Sequence, residues 1–181
     1  MVEHLETELM ELEETIQNGN NMKMLEEKNL DIKVIIPKEH YVLLHSSRYG
    51  LPAILVINSS LRHFKKRNVF AWTCQIVVYF NGLADNGMPT HEESILVLNF
   101  FDKLNALIKG NENHPNALFV SRCTNDGALN AIWQVNDPKI TDHQLQNIMD
   151  NKQYPREFDY KIEYDENWKG IDWFLQDFHN A

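Results

Sequence analysis

The chain has 181 residues, 43% hydrophobic and 24% charged, with seven glycines and six prolines. That composition excludes a collagen-like, linker-rich or broadly disordered polymer and leaves enough length to bury a core without staples. The formal charge of −9, from 17 basic and 26 acidic residues, disfavours general nucleic-acid binding, because phosphate backbones repel an acidic surface.

Residues 1–31 carry nine acids against two bases, net −7. Leu5, Leu9, Leu12 and Ile16 recur at helical spacing among glutamates and predict an acidic amphipathic helix. Asn18-Gly19-Asn20-Asn21 stops it, and a linker runs to residue 31. Its apolar stripe is open to packing in cis or to a partner. Residues 32–181 read as a single α+β domain. Val34-Ile35-Ile36 predicts a short strand ended by Pro37. Tyr41–Leu44 and Ala53–Ile57 read as two strands joined by a turn. Residues 61–68 are a basic connection, expected to be a solvated loop. Residues 69–80 alternate most clearly, with Cys74, Ile76 and Val78 on one face and Thr73 and Gln75 on the other.

Thr90 with Glu93 predicts a capping box at the start of a helix whose buried stripe is Val97, Phe101, Leu104 and Ile108. Residues 117–123 and 128–135 read as strands joined at Asn125-Asp126-Gly127, a hairpin signal. Asp137-Pro138 closes that hairpin. Thr141 with Gln144 predicts a second capping box, ahead of Leu145, Ile148 and Met149. Residues 156–164 alternate again, with Phe158, Tyr160, Ile162 and Tyr164 inward. Asp165 is expected to cap a last short helix carrying Trp168, Trp173 and Phe174. From residue 69 the order is strand, helix, strand, strand, helix, strand. This is the ferredoxin-like split βαβ: an antiparallel sheet with two helices on one face, here preceded by a β-hairpin.

Several short pieces carry a resemblance. They are Pro52-Ala53-Ile54-Leu55-Val56-Ile57-Asn58, Asp85-Asn86-Gly87-Met88-Pro89 ahead of Glu92-Glu93, Ser121-Arg122 before a hairpin, and Asp165 with Trp168. Over about residues 40–178 the chain resembles the bacterial domain-of-unknown-function family numbered 695. Glu166 stands where that family's last piece carries proline. Members sometimes occur beside domains similar to the protein regulator of ribonuclease E. The resemblance implies a small cytosolic bacterial protein that binds and restrains another protein.

No pattern declares a reaction. The eight histidines form no His-x-x-x-His pair, and the two cysteines form no Cys-x-x-Cys pair, so no metal site is expected. Two cysteines make no disulfide framework, which fits a reducing, cytoplasmic setting. No run of about 18 apolar residues predicts a membrane span, and the acidic first residues show no secretory signal. Cys74 and Cys123 read as small core hydrophobes, with Arg122 beside Cys123. Asp85-Asn86-Gly87 lacks the later ligands of a calcium loop. No glycine-rich phosphate cradle is present, so no cofactor is expected. The basic residues 62–67 lack the aromatic pair that an RNA-binding sheet needs.

Residues 157–181 are net −5, with seven acids against two bases. Glu157, Asp159 and Glu163 alternate on one strand face, followed by Asp165 and Glu166. Together with Trp168 and Trp173 as anchors they form the candidate partner-binding surface. These observations predict a non-catalytic protein-binding module: an acidic inhibitor of a nuclease, such as an immunity protein that neutralises a bacterial toxin, with a basic protein as partner. One alternative is a regulator that binds an endogenous ribonuclease or other housekeeping enzyme. A second is an enzyme whose site assembles from scattered residues such as His45, Arg122 and Asp85.

Overall fold

A computed structural model describes residues 34–48 and 50–176; the predicted acidic helix at residues 1–31 lies outside them. Val34-Ile35-Ile36 is irregular rather than a strand, Pro37 having no N–H to continue a ladder. The first strands are β1 (Tyr41–Arg48) and β2 (Leu51–Asn58), which pair as an antiparallel hairpin. Two 3-10 turns, Ser59–Leu61 and Arg67–Phe70, lead to β3 (Trp72–Tyr79). The helix α1 (His91–Lys109) follows, then β4 (Ala117–Asn125), β5 (Ala128–Val135), the helix α2 (Pro138–Asp150) and β6 (Phe158–Tyr164). A final 3-10 turn spans Asp172–Leu175, where a short helix was expected.

The six strands form one sheet in the order β1-β2-β4-β5-β3-β6, with every neighbouring pair antiparallel. The register therefore runs one row of side chains across the whole sheet. Leu43, Val56, Arg122, Ala131, Ile76 and Tyr160 lie side by side on one face. Leu44, Leu55, Cys123, Asn130, Val77 and Asp159 form the matching row on the other, because successive side chains alternate.

Both helices bury their apolar stripes on the first face. Val97, Phe101, Leu104 and Ile108 of α1 and Leu145 and Ile148 of α2 share one cluster with Cys74, Ile76, Phe119, Ala131, Trp133 and Phe158. Among the described residues, that cluster takes members from β3, β4, β5 and β6 and none from β1 or β2. The hairpin thus extends the sheet past the helices. Leu43 and Tyr41, on the same face of the extension, are 58% and 45% exposed.

Two helix starts differ from the expectation. Thr90 does cap α1, its Oγ1 accepting from the Glu93 N–H at 3.3 Å. The reciprocal half is absent, because the Thr90 N–H donates to the Gly82 carbonyl and the Glu93 carboxylate turns elsewhere. The second helix begins four residues early. Asp137 caps it by accepting from the Lys139 N–H at 2.9 Å, with Pro138 in the first turn, where its fixed φ costs no hydrogen bond. Thr141 is consequently buried inside α2, accepting from Asn116 Nδ2 at 3.0 Å.

The basic connection is folded rather than solvated. Leu61 and Phe64 are buried within it. Arg62 donates to the Leu175 and Gln176 carbonyls, both at 2.9 Å, and Arg67 pairs with Asp172 at 2.7 Å. The C-terminal turns also lie against β2. Ile57 and Leu118, on the face away from the helices, are accordingly only 2% and 5% exposed.

Candidate functional site

β6 is one edge of the sheet, hydrogen-bonded to β3 alone among the described strands. Its period-two alternation buries Phe158, half-buries Tyr160 and Ile162, and leaves Tyr164 largely exposed. Asp159, Lys161 and Glu163 project from the face that the helices do not cover, and Glu157 precedes them on the same side. All four are exposed. Asp159 accepts from the Tyr79 hydroxyl at 2.8 Å, and Glu163 pairs with Lys161 at 2.9 Å. The Tyr79 hydroxyl is held above its ordinary pKa by that carboxylate. Beside the strand lies a shallow hollow of about 200 Å3 lined by Gln75, Val77, Asp159, Tyr160 and Lys161.

The remaining predicted residues divide. The Asp165 carboxylate accepts the backbone N–H groups of Lys169 and Gly170 at 2.9 and 2.8 Å, so it fixes a turn. Glu166 is exposed and accepts from the Tyr164 hydroxyl at 3.2 Å. Trp168 is fully buried, its indole N–H donating to the Phe70 carbonyl at 2.8 Å and its ring stacked on Phe64. A ring seated this way is unavailable as a surface anchor, which corrects the expectation for that residue. Trp173 is 52% exposed and stacks on Phe174 with centroids 3.5 Å apart.

A second concave surface lies on the opposite face, where the hairpin outruns the helices. A cavity of about 300 Å3 is bounded by Leu43, Ile54 and Val56 from the hairpin, by Leu98 from α1, and by Met88 and Pro89 from the preceding loop. A second of about 260 Å3 adjoins it, bounded by Tyr41, Phe101, Asp102, Asn105 and Phe119. Val56 and Arg122 belong to both. The Arg122 guanidinium sits 4.9 Å from the centre of the Phe101 ring. Burial pulls its pKa below the usual arginine value, with Asp102 and Tyr41 opposing that pull.

The scattered residues of the enzyme alternative do not form one row. His45 pairs across the sheet with Ile54 and Thr124, Arg122 with Val56 and Leu43, and Asp85 lies in the exposed loop before α1. Cys74 is fully buried, and burial alone pushes its thiol up to about 12, which suppresses the reactive thiolate. Among the described residues no group of three or more His, Cys, Asp or Glu side chains is placed to hold a metal ion, and no helix is long and apolar enough to cross a membrane.

One family model matches, over residues 44–176, and its description is a family of unknown function (DUF695). No curated protein matches the chain, and no solved structure does.

Proposed function

The chain belongs to this family of unknown function, and from that premise we propose that it is a non-catalytic protein-binding module: an acidic inhibitor of a nuclease, such as an immunity protein that neutralises a bacterial toxin in the cytoplasm. The observation that carries the proposal is the edge position of β6. An edge strand presents backbone donors and acceptors that a partner's strand can extend. Here the edge is flanked by Glu157, Asp159 and Glu163, all exposed. Those carboxylates repel acidic strands, the chain's own copies included, and attract basic ones, so the same charges discourage wrong pairings and favour one partner class. Nucleases bind phosphate through basic surfaces, and an acidic protein competes for such a surface through the same field. Trp173, exposed nearby in sequence, is the aromatic anchor of this reading.

For the fold, the proposal includes the ferredoxin-like split βαβ. The chain order β3, α1, β4, β5, α2, β6 and the spatial order β4-β5-β3-β6 support it.

The test is co-purification with the product of the neighbouring gene, followed by titration across salt. The proposal expects nanomolar affinity, inhibition of nuclease activity, and a loss of about tenfold or more between low and high salt. Replacing Glu157, Asp159 and Glu163 together by lysine is expected to abolish inhibition. Undiminished affinity in that triple variant would sink the proposal.

A further inference from the structure

We propose that the groove between the β1–β2 hairpin and α1 binds a small amphipathic monocarboxylate, with its carboxylate on Arg122 and its apolar body in the 300 Å3 lobe. The site is on the helical face of the sheet, so it stands or falls independently of the β6 surface.

Arg122 is half-buried, and its planar head rests on the Phe101 ring. Neither a hydrogen bond nor an ion pair engages it among the described residues. A guanidinium carries five N–H donors in a fixed fork, and removing them from water without acceptors is costly. Every other arginine whose side chain is described has its polar partners: Arg62 and Arg67 on the C-terminal turns, Arg156 on Glu93. Among the arginines whose side chains are described, Arg122 alone has no hydrogen-bonded or ion-paired partner; the Phe101 ring lies beneath it and the Asp102 charge acts on it only from a distance. The acceptor that its fork matches best is a planar, bidentate oxyanion.

The surroundings select which oxyanion. Around Arg122 the larger lobe is lined by apolar side chains, with Ser94 and Thr124 as its other polar residues. Neither hydroxyl hydrogen-bonds to a described residue, so both are free to donate to a ligand in this lobe. One cation and two hydroxyls balance one negative charge. A phosphate dianion or a nucleotide would need more positive charge than this lobe contains. Asp102 is exposed on the rim of the smaller lobe, and it disfavours a second negative group at that end. The ligand class is therefore a single carboxylate on an apolar tail, and the apolar walls supply the hydrophobic part of its affinity.

The probe is octanoate, titrated into the full chain by calorimetry, with octanol and octyl phosphate as the parallel arms and methyl shifts by NMR to locate binding. The expected result is octanoate binding at least about tenfold tighter than octanol, with shifts confined to the lining methyl groups of Leu43, Ile54, Val56, Val97, Leu98 and Leu129. Arg122→Gln is expected to erase the preference over octanol, and Arg122→Met, which keeps the apolar stem over Phe101, is expected to do the same with the melting temperature held. Octanoate and octanol binding equally would overturn the proposal. So would the absence of octanoate binding, tighter binding of octyl phosphate, or shifts elsewhere on the sheet. The wild-type comparison of the three probes decides the matter even where a variant fails to fold.

Discussion

Glu93 and Arg156, 63 residues apart, are joined by two hydrogen bonds, Nε to Oε1 at 2.7 Å and Nη2 to Oε2 at 2.8 Å. Glu93 is 4% exposed in the first turn of α1, and its Oε1 also accepts from the Asn81 N–H at 3.1 Å. One carboxylate thereby ties the end of β3, the start of α1 and the entry to β6. It also sits where the helix dipole favours negative charge.

This arrangement predicts a specific acid sensitivity. The Arg156 hydrogen bonds hold the Glu93 carboxyl below its ordinary value of 4.5, against the opposing effect of burial. A depressed folded pKa means that the unfolded chain binds the extra proton first. The stabilisation is complete above about pH 4.5 and is lost as pH falls through the folded pKa. Urea unfolding across pH 3 to 6 is expected to show up to about one more proton taken up on unfolding in the wild type than in Arg156→Gln. Parallel curves for the two proteins would contradict this role.

The two C-terminal tryptophans are predicted to behave oppositely. Trp168 is fully buried at a left-handed backbone position, φ 60°, with Arg67 over its ring. Trp168→Ala is expected to cost about 3–5 kcal/mol, the range for deleting a buried aromatic ring. Trp173→Ala removes an exposed ring and is expected to change stability by no more than about 0.5 kcal/mol. Acrylamide quenching of single-tryptophan variants should reach Trp173 and spare Trp168. If Trp173 anchors a partner, its alanine variant weakens binding without lowering stability.

Local signals in this sequence were legible and distant ones were not. Asn125-Asp126-Gly127 marked its hairpin because a tight turn demands positive φ within a few residues, and Asp126 and Gly127 adopt φ 48° and 76°. The alternation of residues 157–163 likewise put the three carboxylates on one face. Helix starts were harder. Thr141 with Gln144 imitates a cap, but Asp137-Pro138 supplies a stronger one four residues earlier. Trp168 looked like an anchor because nothing nearby in sequence shows that the Arg67 and Phe70 carbonyls, about 100 residues upstream, receive its N–H. The Arg122 groove was invisible for the same reason: it exists only because β2 pairs with β4 and carries the hairpin beyond α1.

The hairpin turn predicts a strain effect free of steric collision. A Cβ added at Gly127 would meet only Leu83 Cδ1 at 3.6 Å, an ordinary contact. Its φ of 76° nevertheless disfavours any L side chain. Gly127→Ala is expected to destabilise by about 1–2 kcal/mol, with the sheet register unchanged. Asp126→Asn, which suits the same turn better, is expected to be neutral or slightly stabilising. Denaturation midpoints measure both, and equal loss in the two variants would show that the backbone angle is not the cause.

Trp133 is the centre of the aromatic core, and its polar tip is predicted to couple to α1. The ring is fully buried, stacked at 5.8 Å on Phe101 and edge-on to Phe119 at 5.7 Å. Its indole N–H donates to Asn105 Oδ1 at 2.9 Å. Asn105→Leu strands that donor in the core and is expected to cost about 1–3 kcal/mol. Trp133→Phe keeps an aromatic ring but removes the donor and some volume. Once the donor is gone the asparagine has nothing left to satisfy, so the double variant should lose less than the sum of the single losses. A coupling of about 0.5 kcal/mol or more in this double-mutant cycle is the expected outcome. Additive losses would mean that water satisfies the indole as well as Asn105 does, and that α1 is held to β5 by apolar packing alone.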